Sequence, residues 1–212
     1  MDTISPTQEK YELMMQEVDG LLAAESFRRS GQNFRKRLSE GKVRWSVCFQ
    51  KNRYSTRDNI GFTINISAEW KRRPAWYQEH MPQTAWYGGA GDRIGFLMPE
   101  KNDKWWEMDA ETSVASLAAE IRAALQSYVL PFFRRFESEQ ALESHTRQLM
   151  VSPDWKRNYP IAIESLAYGL IDRVDAAEIE KRVANVRRTG RMNLVSKDVI
   201  EATIQRVLKT YG

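Results

Sequence analysis

The chain has 212 residues, 42% of them hydrophobic and 28% charged, a balance that lets it bury a core without help from a disulfide or a metal. Its single cysteine, Cys48, excludes an intramolecular disulfide, and two histidines beside one cysteine cannot build a Cys/His zinc site. The first residues lack a basic and an apolar leader pattern, and no stretch approaches the roughly 18 apolar residues of a membrane span, so the expectation is a cytoplasmic protein with no membrane contact and no cofactor.

Ser5-Pro6-Thr7-Gln8 carries a helix N-cap, a proline at the first helical position and Gln at the third. Tyr11, Met14, Met15, Val18, Leu21 and Leu22 then follow the spacing of one buried helical face, which predicts a helix ending near Phe27. A twofold period takes over. A weak alternation over residues 32–38 leads to the turn signal Glu40-Gly41, and Val43, Trp45, Val47 and Phe49 then alternate with Arg44, Ser46, Cys48 and Gln50, as in a hairpin. Phe62, Ile64 and Ile66 alternate with Thr63, Asn65 and Ser67 after a polar loop, so the open sheet face should present Arg44, Ser46, Gln50, Thr63, Asn65 and Ser67.

Residues 69–92 hold Trp70, Lys71, Arg72, Arg73, Trp76, Tyr77, His80, Trp86 and Tyr87 without clear periodicity and close on Gly88-Gly89-Ala90-Gly91, which points to an aromatic loop. The apolar runs Arg93–Met98 and Trp105–Met108 predict two more strands joined by a turn. From Glu111 the stripe Val114, Leu117, Ala118, Ile121, Leu125, Tyr128, Val129 and Phe132 predicts a long helix that covers the sheet and is kinked or ended by Pro131. A short helix follows Ser138. Helices opening near Pro160, Asp175 and Ser196 complete the chain. The fold class is therefore α+β: a mainly antiparallel sheet of about five strands packed on a long helix and an N-terminal helix. Residues 1–150 form this domain, and 151–212 a helical appendage.

Charge is unevenly placed. The net charge is +4, yet between Arg28 and Arg73 there are 13 Lys and Arg against 3 acids, an excess of ten, so the remainder of the chain is net acidic by six. A basic lobe of this kind attracts acidic proteins, nucleic acids or anionic surfaces. Its bland alternative is a solvated face whose charges pair with acids elsewhere.

The segments Ser30-Gly31-Gln32-Asn33-Phe34-Arg35-Lys36, Val47-Cys48-Phe49-Gln50-Lys51, Phe62-Thr63-Ile64-Asn65-Ile66, Arg93-Ile94-Gly95-Phe96-Leu97 and Asp103-Lys104-Trp105-Trp106-Glu107 resemble, in order, the pattern of a bacterial family catalogued as domain of unknown function 4304. The resemblance covers about residues 10–145. It implies a bacterial cytoplasmic protein and brings no catalytic residues. Families of this style often act as immunity or antitoxin partners of secreted toxins, an analogy and not a property of these residues.

Constellations for catalysis are thin. His80 and His145 lie far apart, each without a second histidine nearby, and Cys48 sits mid-strand where lone cysteines are usually inert. The Gly89–Gly95 run has the wrong glycine spacing for a dinucleotide loop and reads as a tight turn. Asp103, Glu107, Asp109 and Glu111 could pair as acid and base, but acids before a helix are commonly there for its dipole. The sequence therefore reads as a noncatalytic binding module for an acidic protein partner such as a toxin, with Arg44, Gln50, Arg53, Arg57, Trp70, Arg72, Arg73, Trp76, His80 and Trp86 as the contact residues. Nucleic-acid binding on the same basic, aromatic surface is the alternative.

Overall fold

The fold is described from a computed structural model over residues 4–70, 89–151, 165–166, 168–169, 172–190 and 197–211. Helix α1 (Pro6–Ala24) starts where its signals place it: Ser5 Oγ accepts from the Gln8 amide at 3.2 Å, and Tyr11, Met14, Met15, Val18 and Leu22 are buried. The helix stops earlier than its periodicity suggests. Ser26 adopts a left-handed φ of 67°, which breaks the helical run and releases a short strand, β1 (Arg28–Ser30).

Strands β2 (Asn33–Leu38), β3 (Val43–Lys51), β4 (Ile60–Trp70), β5 (Gly89–Arg93) and β6 (Trp106–Met108) complete a sheet of six strands. The order is β1-β2-β3-β4-β5, with β6 pairing one end of β4. β1 runs antiparallel to β2, β2 to β3 and β6 to β4. The hairpin between β2 and β3 turns over Ser39–Gly41, as Glu40-Gly41 signals.

One sheet face is dry. Phe34, Phe49, Phe62 and Trp106 form a row across β2, β3, β4 and β6, with successive ring centroids 5.8, 6.0 and 5.9 Å apart, and Tyr11 of α1 meets Phe62 edge-on at 5.4 Å. Each such pair adds about 0.5–1.5 kcal/mol beyond the area it buries. Trp45 is a core residue as expected. Its ring stacks on Phe133 at 5.0 Å and its indole donates to the Phe136 carbonyl at 2.8 Å.

The run Arg93–Met98 is not a strand. β5 ends at Arg93 and helix α2 (Ile94–Leu97) follows. Four apolar residues in a row fit a strand or a buried helical turn equally by pattern, and the backbone decides: a Cβ on Gly95 would collide with the backbone of Asn102 and Lys104. The preceding glycines are likewise not a tight turn but β5 itself, where a Cβ on Gly91 would lie 2.9 Å from the Ile66 carbonyl of β4. This segment also covers part of the face expected to be open. Thr63 is fully buried and donates to the Lys104 carbonyl at 2.8 Å. The Trp105-Trp106 pair divides at the start of β6: Trp106, its first residue, is buried, whereas Trp105, just ahead of the strand, is half-buried and donates to Asp103 at 3.0 Å.

The long helix is a composite. α3 (Val114–Ala124), capped by Ser113, passes into a π-type turn over Leu125–Val129 and then α4 (Leu130–Arg134). The Leu130 amide bonds back to the Leu125 carbonyl, a widened turn just ahead of Pro131. A proline lacks an amide and crowds the carbonyl four residues back, and the widened turn accommodates it without ending the helix. Asp109, ahead of α3, accepts from the Glu111 and Thr112 amides at 3.0 and 2.9 Å and from the Thr112 hydroxyl at 2.7 Å. Those bonds hold its carboxyl below the usual carboxylate range, the Thr112 hydroxyl foremost.

The chain divides into two compact units, residues 1–69 with 90–139 and residues 70–89 with 140–212. In the second, α5 (Glu139–Val151) carries Arg147, which pairs with Glu143 at 3.0 Å and Asp172 at 2.7 Å and lies 4.3 Å from the Tyr168 ring centre. α6 (Ala176–Gly190) opens on Asp175, which accepts from the Glu178 amide at 2.8 Å. It meets α7 (Lys197–Tyr211), with Ile179, Val183 and Val186 buried on one helix and Thr203, Ile204 and Val207 on the other.

Candidate binding face of arginines

Residues opposite each other on paired strands share a face, and so do residues two apart on one strand. Arg28 of β1 is opposite Arg35 of β2, and Arg37 of β2 is opposite Arg44 of β3. Four arginines therefore stand together on the face turned away from the aromatic core. Arg29 comes round from the other side of the edge strand, and with Ser26 and Ser30 these residues line a hollow of about 530 Å³. The local fold makes the hollow: the early end of α1 frees Ser26 and brings β1 to the sheet edge.

The charges are only partly answered. Arg29 pairs with Glu12 at 2.9 Å, and Arg44 with Glu69 at 2.9 Å. Arg28, Arg35 and Arg37 are exposed and make no side-chain hydrogen bond or ion pair among the described residues. Like charges directly opposite on a sheet destabilise it, by roughly 0.2–1 kcal/mol a pair. Two such pairs side by side form a feature that a sheet does not need for its own stability.

The expected contact residues do not come together in one place. Arg44 lines the hollow. Gln50 is on the same face but about 20 Å farther along β3, at ~3.4 Å per residue, and accepts from Asn65 at 2.7 Å. Arg53 and Arg57 belong to the loop beyond the far end of β3, where the Arg53 guanidinium lies 4.6 Å from the Tyr54 ring centre and the Arg57 carbonyl accepts from the Ser5 hydroxyl at 2.7 Å. Trp70 is the last residue of β4, not the start of a loop, and its ring is buried. Arg72, Arg73, Trp76, His80 and Trp86 lie outside the described residues. Arg28, Arg35 and Arg37 escaped the sequence reading. The alternation of Arg35 and Arg37 around Lys36 is the signal that could have found two of them.

Five arginines in one hollow offer the chemistry of anion binding. Cys48 shares the sheet face, but burial pushes its thiol up, more than the nearby Arg35 pulls it down, which works against a thiolate nucleophile. No group of three His, Cys, Asp or Glu side chains able to hold a metal occurs among the described residues, and none of the described helices is long and apolar enough to cross a membrane. A second recess, about 590 Å³ between α1 and α3, has four alanines among its ten lining residues. Its Arg122 and Glu17 face each other at 3.7 Å, which leaves no charge to orient a ligand.

The fold and the face together define an α+β protein with a concave, arginine-lined sheet surface. The chain belongs to the family described as Domain of unknown function (DUF4304), whose model matches residues 18–135. That span takes in every strand of the sheet and the whole lining of the hollow. No curated protein and no solved structure matches the chain.

Proposed function

We propose that this chain is a noncatalytic cytoplasmic binding module, of the immunity or antitoxin kind, that takes an acidic protein partner on the open face of its sheet. The observation that carries this reading is the double cross-strand arginine pairing, Arg28 with Arg35 and Arg37 with Arg44. It costs the free protein stability, and an acidic partner offsets that cost. Among the described residues, five guanidiniums in the hollow against Glu12 and Glu69 leave an excess of three positive charges for a partner to neutralise. Such a field raises the rate of encounter more than it raises intrinsic affinity.

The described part of the open face includes Arg28, Arg35, Arg37, Arg44, Ser67 and the acid Glu69. Among the described residues no aromatic ring lines the hollow itself, so the hollow gives a base nothing to stack on, which supports a protein partner there. The test is a titration of the full chain with a poly-glutamate peptide, with single-stranded DNA and with RNA across a range of salt. The reading expects the peptide to shift the backbone resonances of β1, β2 and the start of β3. Tight binding of DNA or RNA with a steep log–log salt slope, and no response to the peptide, would replace it with the nucleic-acid alternative.

A further inference from the structure

We infer that the arginine hollow is a seat for a phosphate monoester dianion carried on the acidic partner, a phosphorylated side chain being the form that fits. The inference rests on the reading of this face as a protein-binding surface and names the group that binds there.

Carboxylates already present show what one carboxylate achieves at this place. Glu12 satisfies Arg29 and Glu69 satisfies Arg44, one acid to one guanidinium. Arg28, Arg35 and Arg37 remain, three full charges held within one hollow. A single incoming carboxylate brings one charge and two oxygens. A phosphoryl group brings nearly two charges and three terminal oxygens, so it can accept from three guanidiniums at once. Every cation lining the hollow is arginine, whose planar fork matches phosphate oxygens in pairs where a lysine offers a point charge. Arginine also stays charged at any working pH, so the protein side of the contact does not titrate.

Size selects an attached phosphoryl group over a free ion. At about 530 Å³ the hollow is far larger than a five-atom oxyanion needs. The remaining space admits the segment that carries it, with Ser26 and Ser30 at the wall as neutral donors.

The experiment titrates the full chain with a phosphoserine peptide, with the same peptide carrying glutamate at that position, and with inorganic phosphate, at about pH 7.5 and about pH 5.5. At the higher pH the phosphopeptide should bind roughly tenfold tighter than the glutamate peptide, and its advantage should shrink at the lower pH as the second phosphate ionisation near 6 is crossed. Arg35→Gln with Arg37→Gln should abolish that advantage while the thermal transition stays cooperative. Equal affinity for the two peptides overturns the phosphoryl seat and leaves the acidic-partner reading standing. Failure of both peptides to bind overturns both. Inorganic phosphate binding as tightly as the phosphopeptide overturns the attached carrier and makes the free ion the occupant.

Discussion

An arginine set directly opposite another on the same sheet face repels it, and removal of either should relieve the sheet. Arg35 is the sharper case because it faces Arg28 across one strand pair and neighbours Arg37 along its own. Arg35→Gln is expected to raise the free energy of unfolding by about 0.2–1 kcal/mol, read as a higher urea midpoint with an unchanged slope. Low salt should enlarge the gain, since ions screen the repulsion. A lower midpoint would mean that Arg35 has a stabilising partner. Asp109 gives the opposite kind of residue, one whose charge helps the fold. Hydrogen bonds hold its folded carboxyl below the ordinary range, so its contribution is in place above that range and is lost as pH falls through the lowered value. Asp109→Ala should therefore lower the urea midpoint at neutral and alkaline pH and change it least at low pH, so that the acid limb of the stability profile flattens.

At the scale of elements, the aromatic row is the structural spine of the sheet. Phe49 sits between Phe34 and Phe62 and is fully buried. Phe49→Ala is expected to cost about 3–5 kcal/mol, with the loss measured by denaturant unfolding, and a cost under about 1 kcal/mol would contradict the packing described. The elements were legible in proportion to their length. α1, β3, β4 and α6 show several periods each, and Tyr11, Val47, Ile64 and Ile179 are buried where the pattern puts them. β1 and α2, at three and four residues, offer no period, and the break at Ser26 and the fit of Gly95 depend on distant backbone. Thr63 was assigned to an open face by alternation alone; the alternation is right, and the cover comes from Lys104, forty-one residues along. The π-type turn at Leu125–Val129 had its cause, Pro131, in plain view but not its form, because a proline can end, kink or widen a helix.

For the whole molecule, the basic segment was visible as a charge count long before any strand was placed. What the count could not give was register. Only the antiparallel pairing turns Arg28, Arg35, Arg37 and Arg44 from scattered charges into one face, and it separates them from Arg53 and Arg57, which share their composition but sit beyond the other end of β3. Register is a long-range property, set by which faces bury and how the turns close, so a list of contact residues drawn from one-dimensional alternation includes Arg44 and misses its three neighbours. The family match over residues 18–135 fixes the membership of the chain without assigning an activity.

On the proposed reading, this face keeps repulsive arginines because something acidic binds them. The most direct measurement sets stability and binding of the Arg35→Gln, Arg37→Gln variant beside the parent protein: urea unfolding on one side, titration with the poly-glutamate and phosphoserine peptides on the other. The expected variant unfolds at higher urea and no longer binds either peptide. A variant that is less stable than the parent yet binds both peptides as well as before would contradict the proposed reading.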